Sequence, residues 1–187
     1  MPRALLGRAG LPHGAALIWT NEGAWLAFEF LILTATRTSE VLGATWAEID
    51  LERGLWTIPA KRMKAGREHR VPLAPRCLEL LTRAKELSAG SEYVFPSRSP
   101  KRPLSNMVFL MMLRRMKLDV TAHGFRSAFR DWAAEQTSVP REVCEMALAH
   151  SIPRKTEAAY RQGDLLEKRR ELMLAWDRFA APEQGEA

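Results

Sequence analysis

Apolar side chains recur at helical spacing near the start of this chain. Trp25, Phe28 and Leu31 lie three residues apart, and other apolar residues fill the remaining faces of the stretch from Glu22 to Thr34. A helix that is apolar all round lies inside a protein core. The pattern therefore predicts a buried helix at the centre of the fold.

Three short segments rich in tryptophan, isoleucine and valine follow, at about 46–49, 55–58 and 70–73. Residues 52–54 separate the first two segments, and a basic loop at 61–68 separates the second from the third. Short segments of β-favouring residues joined by turns predict a small three-stranded antiparallel sheet.

Helical periodicity dominates the rest of the chain, so the predicted fold class is α+β and mainly helical. We expect residues 1–21 to be a poorly ordered lead-in or a truncated first helix, residues 22–180 to form one domain, and residues 181–187 to fray. Seven further helices are predicted. The first is capped by Thr38 or Ser39 and ends at Leu42. The others cover 75–88, Ser105 to 116, a stretch from about His123, Pro140 to about 148, 154–160, and a stretch that begins after Asp164.

The composition, 47% hydrophobic and 27% charged, is that of a globular protein. Apolar runs are all shorter than the roughly 20 residues of a membrane helix, and the N-terminus lacks a signal-peptide pattern, so we expect a cytoplasmic protein. Cys77 and Cys144 lie in apolar helical patterns, which favours buried reduced thiols over a disulfide or a metal site.

The net charge of +6 is unevenly distributed. Between positions 101 and 130, seven lysines or arginines stand against one acid, Asp119. A second basic cluster in positions 61–70 is interrupted only by Glu68. Any one of these cations is explained by solvation alone, but two dense clusters make a phosphate-facing surface an equal alternative.

Two cationic features stand out, a histidine–arginine pair and a single arginine. His123 and Arg126 lie on one face at the start of a predicted helix, where an imidazole and a guanidinium can bind an oxyanion or a phosphate. Such a pair also occurs by chance, so it is weak evidence alone. Arg37 follows the apolar helix, where its charge needs a partner, either Glu40 or an anion.

Tyr160 is one of only two tyrosines, and it comes ten residues after His150. The other, Tyr93, lies in an apolar extended segment and is expected in the core. A single tyrosine beside alanines is more often a packing residue than a nucleophile, so its significance depends on the residues around it.

Taken together, these residues resemble the tyrosine recombinases, the integrase family of temperate phages and genomic islands. The segments at 56–59, 69–73 and 93–96 also look like this family's integrase branch. The positions that carry the resemblance are, in chain order, Arg37 in a Thr-x-x-Arg-x-x-Glu setting with Glu40, Lys64 in the basic loop, His123 and Arg126 of a His-x-x-Arg box, His150 and Tyr160. One departure is Ala35, where the family often has glycine, and we expect it to be harmless.

The resemblance implies that residues 22–180 are an integrase-type catalytic domain that cuts and rejoins DNA through a 3′-phosphotyrosyl intermediate. Tyr160 would be the nucleophile, and His123 would accept its proton. Arg37, Arg126 and His150 would stabilise the charge that develops on the phosphate.

Two further residues have implied roles: Lys64 would protonate the leaving oxygen, and Glu40 would orient Arg37 or a histidine. The implied reaction needs no metal or other cofactor. The resemblance also implies double-stranded DNA as partner at the bacterial nucleoid, and a homotetramer on DNA for the full-length protein. Candidate DNA contacts in the basic clusters are Lys61, Arg62, Arg67, Arg70, Arg114, Arg115 and Arg130.

Two other functions stay open. A type IB topoisomerase uses the same tyrosine chemistry, but the helix after Tyr160 favours a recombinase, because in the family that segment docks on a neighbouring protomer. A DNA-binding remnant without activity is the other, since the family's upstream core-binding domain does not fit into residues 1–21. A metal-dependent nuclease is disfavoured, because no acidic, cysteine or histidine set has ligand spacing.

Overall fold

Seven α-helices and one small sheet form the part of the chain that the computed structural model describes, residues 22–150 and 165–180. Single 3-10 turns at Trp46–Glu48 and Ala60–Arg62 flank strands of the sheet. The elements are α1 (Glu22–Thr34), α2 (Thr38–Leu42), β1 (Ile49–Asp50), β2 (Leu55–Ile58), β3 (His69–Pro72), α3 (Pro75–Leu87), α4 (Val108–Arg115), α5 (Gly124–Gln136), α6 (Arg141–Ala147) and α7 (Leu166–Ala180). The predicted α+β, mainly helical class is confirmed.

The buried central helix predicted from the apolar pattern is α1. It contacts α2, α3, α4 and α7, and nine of its residues are buried. The Phe30 ring lies 5.3 Å from that of Trp56 on β2 and 5.6 Å from that of Phe95. Each fully buried side chain of this size contributes about 1.5–3 kcal/mol, so α1 contributes substantially to core stability.

The sheet is antiparallel in the order β1-β2-β3, as predicted, and pairs Trp56 with Val71 and Ile58 with His69. Trp56 and Ile58 are buried, and the alternate residues Leu55 and Thr57 are half-buried, as the two-residue period of a strand requires. The first predicted strand was placed too early. Residues 46–48 form a 3-10 turn, so β1 is only Ile49–Asp50.

Helix α7 closes the core of its own chain. Leu172, Met173 and Trp176 are buried, and the Trp176 Nε1–H donates to the Ile32 carbonyl at 2.9 Å. The Trp176 ring meets that of Phe129 edge to face at 5.3 Å. Helix α7 thus packs on its own chain, and docking of the segment after Tyr160 on a neighbouring protomer stays a prediction.

Helix starts differ from the prediction at two places. Arg37, and neither Thr38 nor Ser39, is the N-cap residue of α2, and its N–H donates to the Glu40 carboxylate at 2.7 Å. Ser105 accepts the Met107 N–H at 3.3 Å in a turn that precedes α4, which begins at Val108. The helix predicted over 154–160 and the cap at Asp164 lie outside the described residues.

Both cysteines are buried free thiols, as predicted. Burial raises the pKa of the Cys144 thiol to about 11, and burial also raises the pKa of Cys77. Neither thiol is therefore reactive at neutral pH. None of the helices in the described part of the chain is long and apolar enough to cross a membrane.

Candidate active site

A cleft of about 340 Å³ lies between the start of α2 and the start of α5. Three of the six catalytic residues predicted from the sequence line it. Its walls are Thr36, Arg37, Thr38, Ser39, Leu42, Asn106, Ala122, His123 and Arg126. The fold thus brings the arginine after α1 together with the His-x-x-Arg pair of α5.

Arg126 is almost fully buried, with 5% of its surface exposed. Its Nη1 donates to the Ala35 carbonyl and its Nη2 to the Leu148 carbonyl at 2.6 Å. Burial, and then repulsion from Arg37, lowers the pKa of Arg126 to about 10, against the opposing attraction of Glu40. Arg126 remains a cation at neutral pH, in a position set by two helix ends.

Arg37 is held by Glu40, the third residue of the helix that Arg37 caps. Its Nη1 lies 2.8 Å from Glu40 Oε1, while its main-chain N–H donates to Oε2 of the same carboxylate. Glu40 is only 2% exposed. Arg37 therefore has the partner that the sequence left open, and it also lines the cleft, where an anion can reach it.

The two histidines of the prediction have different surroundings. His123 is exposed at the N-cap of α5 and lines the cleft. His150 follows α6, with Nε2 3.4 Å from Nη2 of Arg126 and Nδ1 2.6 Å from Oε2 of Glu145. His150 thus contacts the cleft residue Arg126 and is not itself among the residues that line the cleft.

Glu145 was missed at the sequence level. Its carboxylate contacts His150, and Arg130 Nη2 lies 2.9 Å from its Oε1. No motif marks this glutamate. Its position just before the end of α6 could have identified it, because the chain reverses after that helix and brings residue 150 back over residue 145.

His69 on β3 was also missed as a separate residue. Burial lowers its pKa to about 4, and Arg169 adds to the effect, whereas Glu40 and a hydrogen bond to the Ala147 main chain oppose it. His69 is therefore neutral at physiological pH. It lies near the end of α6, within electrostatic range of Arg126 in the cleft and of Arg169 on α7.

Lys64 and Tyr160 are not part of the described cleft. Lys64 is exposed in the turn between β2 and β3, where Gly66 has a φ of +63°. Tyr160 lies outside the described residues. Their catalytic roles stay predictions.

The cations predicted to contact DNA differ in their surroundings. Arg62 contacts the Glu48 carboxylate and the Glu40 carbonyl, and Arg130 is paired with Glu145, so both guanidiniums already have acidic or carbonyl partners. Arg70 is half-buried on β3. Like Arg130, the other four, Lys61, Arg67, Arg114 and Arg115, are exposed. All seven DNA contacts stay predictions.

Among residues 22–150 and 165–180, no group of three or more histidine, cysteine or acidic side chains is placed to hold a metal ion. The cleft is instead positively charged, with Arg37, His123 and Arg126 on its walls. Such a site suits a phosphate or another oxyanion, because guanidinium groups donate paired hydrogen bonds to its oxygens.

Comparison with known proteins agrees with this chemistry. Residues 21–165 match the sequence model of the Phage integrase family. Prophage integrase IntA of Escherichia coli (strain K12) is 39% identical over 162 residues, which are 84% of this chain and 39% of the relative. The chain therefore spans about two fifths of the length of this curated relative.

Solved structures show the same fold at low identity. The integrase from mycobacterium phage Brujita superposes with a TM-score of 0.67 at 17% identity, covering 94% of this chain and 57% of that one. A lambda integrase tetramer bound to a Holliday junction gives a TM-score of 0.55 at 22% identity, covering 75% of this chain and 44% of that one.

Proposed function

Because the chain belongs to the phage integrase family, we propose that it is the catalytic domain of a site-specific DNA recombinase. It cuts and rejoins DNA through a 3′-phosphotyrosyl intermediate. The observation that carries the proposal is the cleft that Arg37, His123 and Arg126 line together, with His150 against Arg126. The family match is to integrases, so the topoisomerase alternative is not favoured.

The charges of the cleft fit a phosphodiester. Arg126 is buried beside a second cation, and the repulsion from Arg37 contributes to its lowered pKa. An anion between the two guanidiniums relieves that repulsion, and it does so most when the phosphate carries its greatest charge, in the transition state. Loss of one such donor costs about 10²- to 10³-fold in rate.

Tyr160 completes the proposed chemistry as the nucleophile. A tyrosine attacks the phosphate and keeps the bond energy in a phosphotyrosine, which the free DNA end then attacks in reverse. Tyrosine ordinarily has a pKa near 10, so a base must accept its proton, and His123 is assigned that role. Lys64 is assigned the proton that the departing deoxyribose oxygen takes up.

The proposed partner is double-stranded DNA, which places the working protein at the nucleoid. A lambda integrase of the same fold has been solved as a tetramer bound to a Holliday junction. We extend that arrangement to the full-length protein and propose a homotetramer on DNA. The exposed cations Lys61, Arg67 and Arg114 are the proposed contacts to phosphates outside the cleft.

The test is a covalent one. Incubation with a nicked suicide substrate that bears the recombination site should yield a protein–DNA adduct that survives denaturation. Tyr160→Phe should abolish the adduct, whereas the matched change Tyr93→Phe should preserve it. An adduct that persists in Tyr160→Phe would assign the nucleophile elsewhere.

The same assay tests how charge is stabilised. We assign that role to Arg37 and Arg126, with His150 supporting Arg126, so adduct formation should continue in excess EDTA. Activity that disappears on chelation and returns with magnesium would favour a metal-dependent nuclease instead.

A further inference from the structure

We propose that Glu145 is a positioning residue for the active site: it fixes the imidazole of His150, and through it the guanidinium of Arg126. This inference rests on the function proposed above. The residues involved form a chain of contacts from the Glu145 carboxylate to His150 Nδ1 at 2.6 Å, and from His150 Nε2 to Arg126 Nη2 at 3.4 Å.

The end of α6 brings Glu145 and His150 together. The His150 N–H donates to the Glu145 carbonyl at 2.9 Å, and the Ala149 N–H donates to the Met146 carbonyl at 3.1 Å. Ala149 between them has a φ of +50°. These features define a Schellman motif, which reverses the chain at a helix C-terminus. Residue 150 is therefore held over residue 145 by its main chain as well as by its side chain.

The ionisation of Glu145 settles which group donates. Its side chain is 17% exposed. Burial alone would raise the pKa of Glu145, but the His150 hydrogen bond and the nearby Arg130 prevail, so its pKa is lowered. Arg141 Nε also lies 3.7 Å from its Oε1. A carboxylate can only accept, so His150 Nδ1 must carry the proton between them.

This arrangement decides what the other ring nitrogen presents to Arg126. With the proton on Nδ1, a neutral His150 has a lone pair on Nε2, which accepts from the Arg126 Nη2–H. The opposite tautomer would place two N–H donors against each other at this contact. Glu145 thus orients the ring and helps hold the arginine that the mechanism needs in place.

The first experiment reads the tautomer directly. Long-range ¹H–¹⁵N correlation spectra of the 187-residue chain, recorded about two pH units above the ordinary histidine pKa of about 6.5, distinguish Nδ1–H from Nε2–H. His150 should be in the Nδ1–H form. Glu145→Met, which keeps the length of the side chain but removes the acceptor, should release the imidazole from Arg126 and so shift it to the Nε2–H form.

Two further variants control this result. Glu145→Gln keeps an acceptor and should retain the Nδ1–H form in part, and it replaces Glu145→Met if that variant does not fold. Glu142→Met removes a carboxylate from the same helix and should leave the tautomer unchanged. A His150 that is Nε2–H in the wild-type chain, or Nδ1–H in Glu145→Met, overturns the proposal.

The second experiment measures single-turnover cleavage of the suicide substrate. Glu145→Met should be slower by on the order of tenfold or more, while Glu142→Met should stay within about twofold of wild type. Adding Glu145→Met to His150→Ala should cost nothing further, since the two residues act as one unit. Wild-type cleavage by Glu145→Met would overturn the proposal. If the wild-type chain itself does not cleave, the proposed function fails. The tautomer of His150 still decides the role of Glu145 in that case.

Discussion

Arg126 is a buried cation whose described acceptors carry no charge, namely two main-chain carbonyl oxygens and the His150 imidazole, whereas Arg37 has a carboxylate. Carbonyl dipoles fix a guanidinium without cancelling its charge. The charge of Arg126 is therefore still available to a ligand in the cleft, while that of Arg37 is shared with Glu40. We therefore expect Arg126 to provide the larger part of the attraction for a phosphate.

His69 makes the stability of the fold depend on pH. The folded protein holds this histidine neutral, with a pKa of about 4, whereas an ordinary histidine has a pKa of 6.5. The unfolded chain therefore binds a proton in this window that the folded protein does not. The free energy of unfolding should fall as the pH drops from about 6.5 towards 4, by about 2 kcal/mol between pH 7 and pH 5.

Urea denaturation at those two pH values measures this loss. His69→Gln removes the titrating group, so most of the difference between pH 7 and pH 5 should disappear. Carboxylates with lowered pKa values, such as Glu145, lose their contribution only at more acid pH and do not affect the comparison. An equal loss in both proteins would show that His69 is not the source.

Residue by residue, the sequence identified the groups that reach the cleft and missed those that support them. Arg37, His123 and Arg126 stood in a recognisable order and line one cleft. Glu145 and His69 act through contacts between elements that are distant in sequence or reversed by a turn, and no local pattern marks such contacts. Their identification required the packing of α6 against β3 and α5.

Two helices end close to Arg126, and an alanine in the left-handed region follows each of them. Ala35 after α1 has a φ of +49°, and Ala149 after α6 has a φ of +50°. Alanine in this conformation is about 1 kcal/mol less favourable than glycine, because its Cβ crowds the adjacent carbonyl. The fold accepts this strain where it delivers carbonyls to the site.

Ala149→Gly should therefore stabilise the protein by about 1 kcal/mol, since glycine adopts the Schellman turn without strain. The matched control is Ala134→Gly, at an exposed interior position of α5, which should destabilise by about the same amount. Thermal unfolding of both variants gives the comparison. Destabilisation by Ala149→Gly would show that the alanine methyl group contributes more packing than its strain costs.

The elements themselves followed from the sequence where one periodicity was unbroken. The bounds of α1 and β2 agree with the prediction, and α3 ends within one residue of it. The prediction failed at short transitions, such as the 3-10 turn at 46–48 and the turn before α4. There the Ser105 hydroxyl and main-chain hydrogen bonds decide the geometry, and hydrophobic spacing contains no information about them.

For the whole molecule, net charge overstated the surface that is available to DNA. Arg62 and Arg130 belong to the basic clusters by sequence, yet Glu48 and Glu145 neutralise them within the fold. A count of charges along the chain cannot reveal such pairs, because the acids come from other segments. Among the predicted DNA contacts, Lys61 on the β2–β3 turn and Arg114 at the end of α4 are exposed.

Helix α7 belongs to the same core as α1, although residues 151–164 separate it in sequence from α6. Its buried side chains Leu172, Met173 and Trp176 each contribute about 1.5–3 kcal/mol. After cleavage at an engineered protease site between 151 and 159, the two fragments should therefore co-elute in gel filtration and separate only in denaturant. With Trp176→Ala the two pieces should separate without denaturant.

This packing makes the domain suitable for use as a split enzyme. The cleft residues Arg37, His123 and Arg126 would be on one polypeptide, and Tyr160 with α7 on the other. Contacts such as the Trp176 hydrogen bond to Ile32 would reassemble the two halves. Strand transfer would then start on mixing, and the covalent DNA label would appear on the small fragment alone.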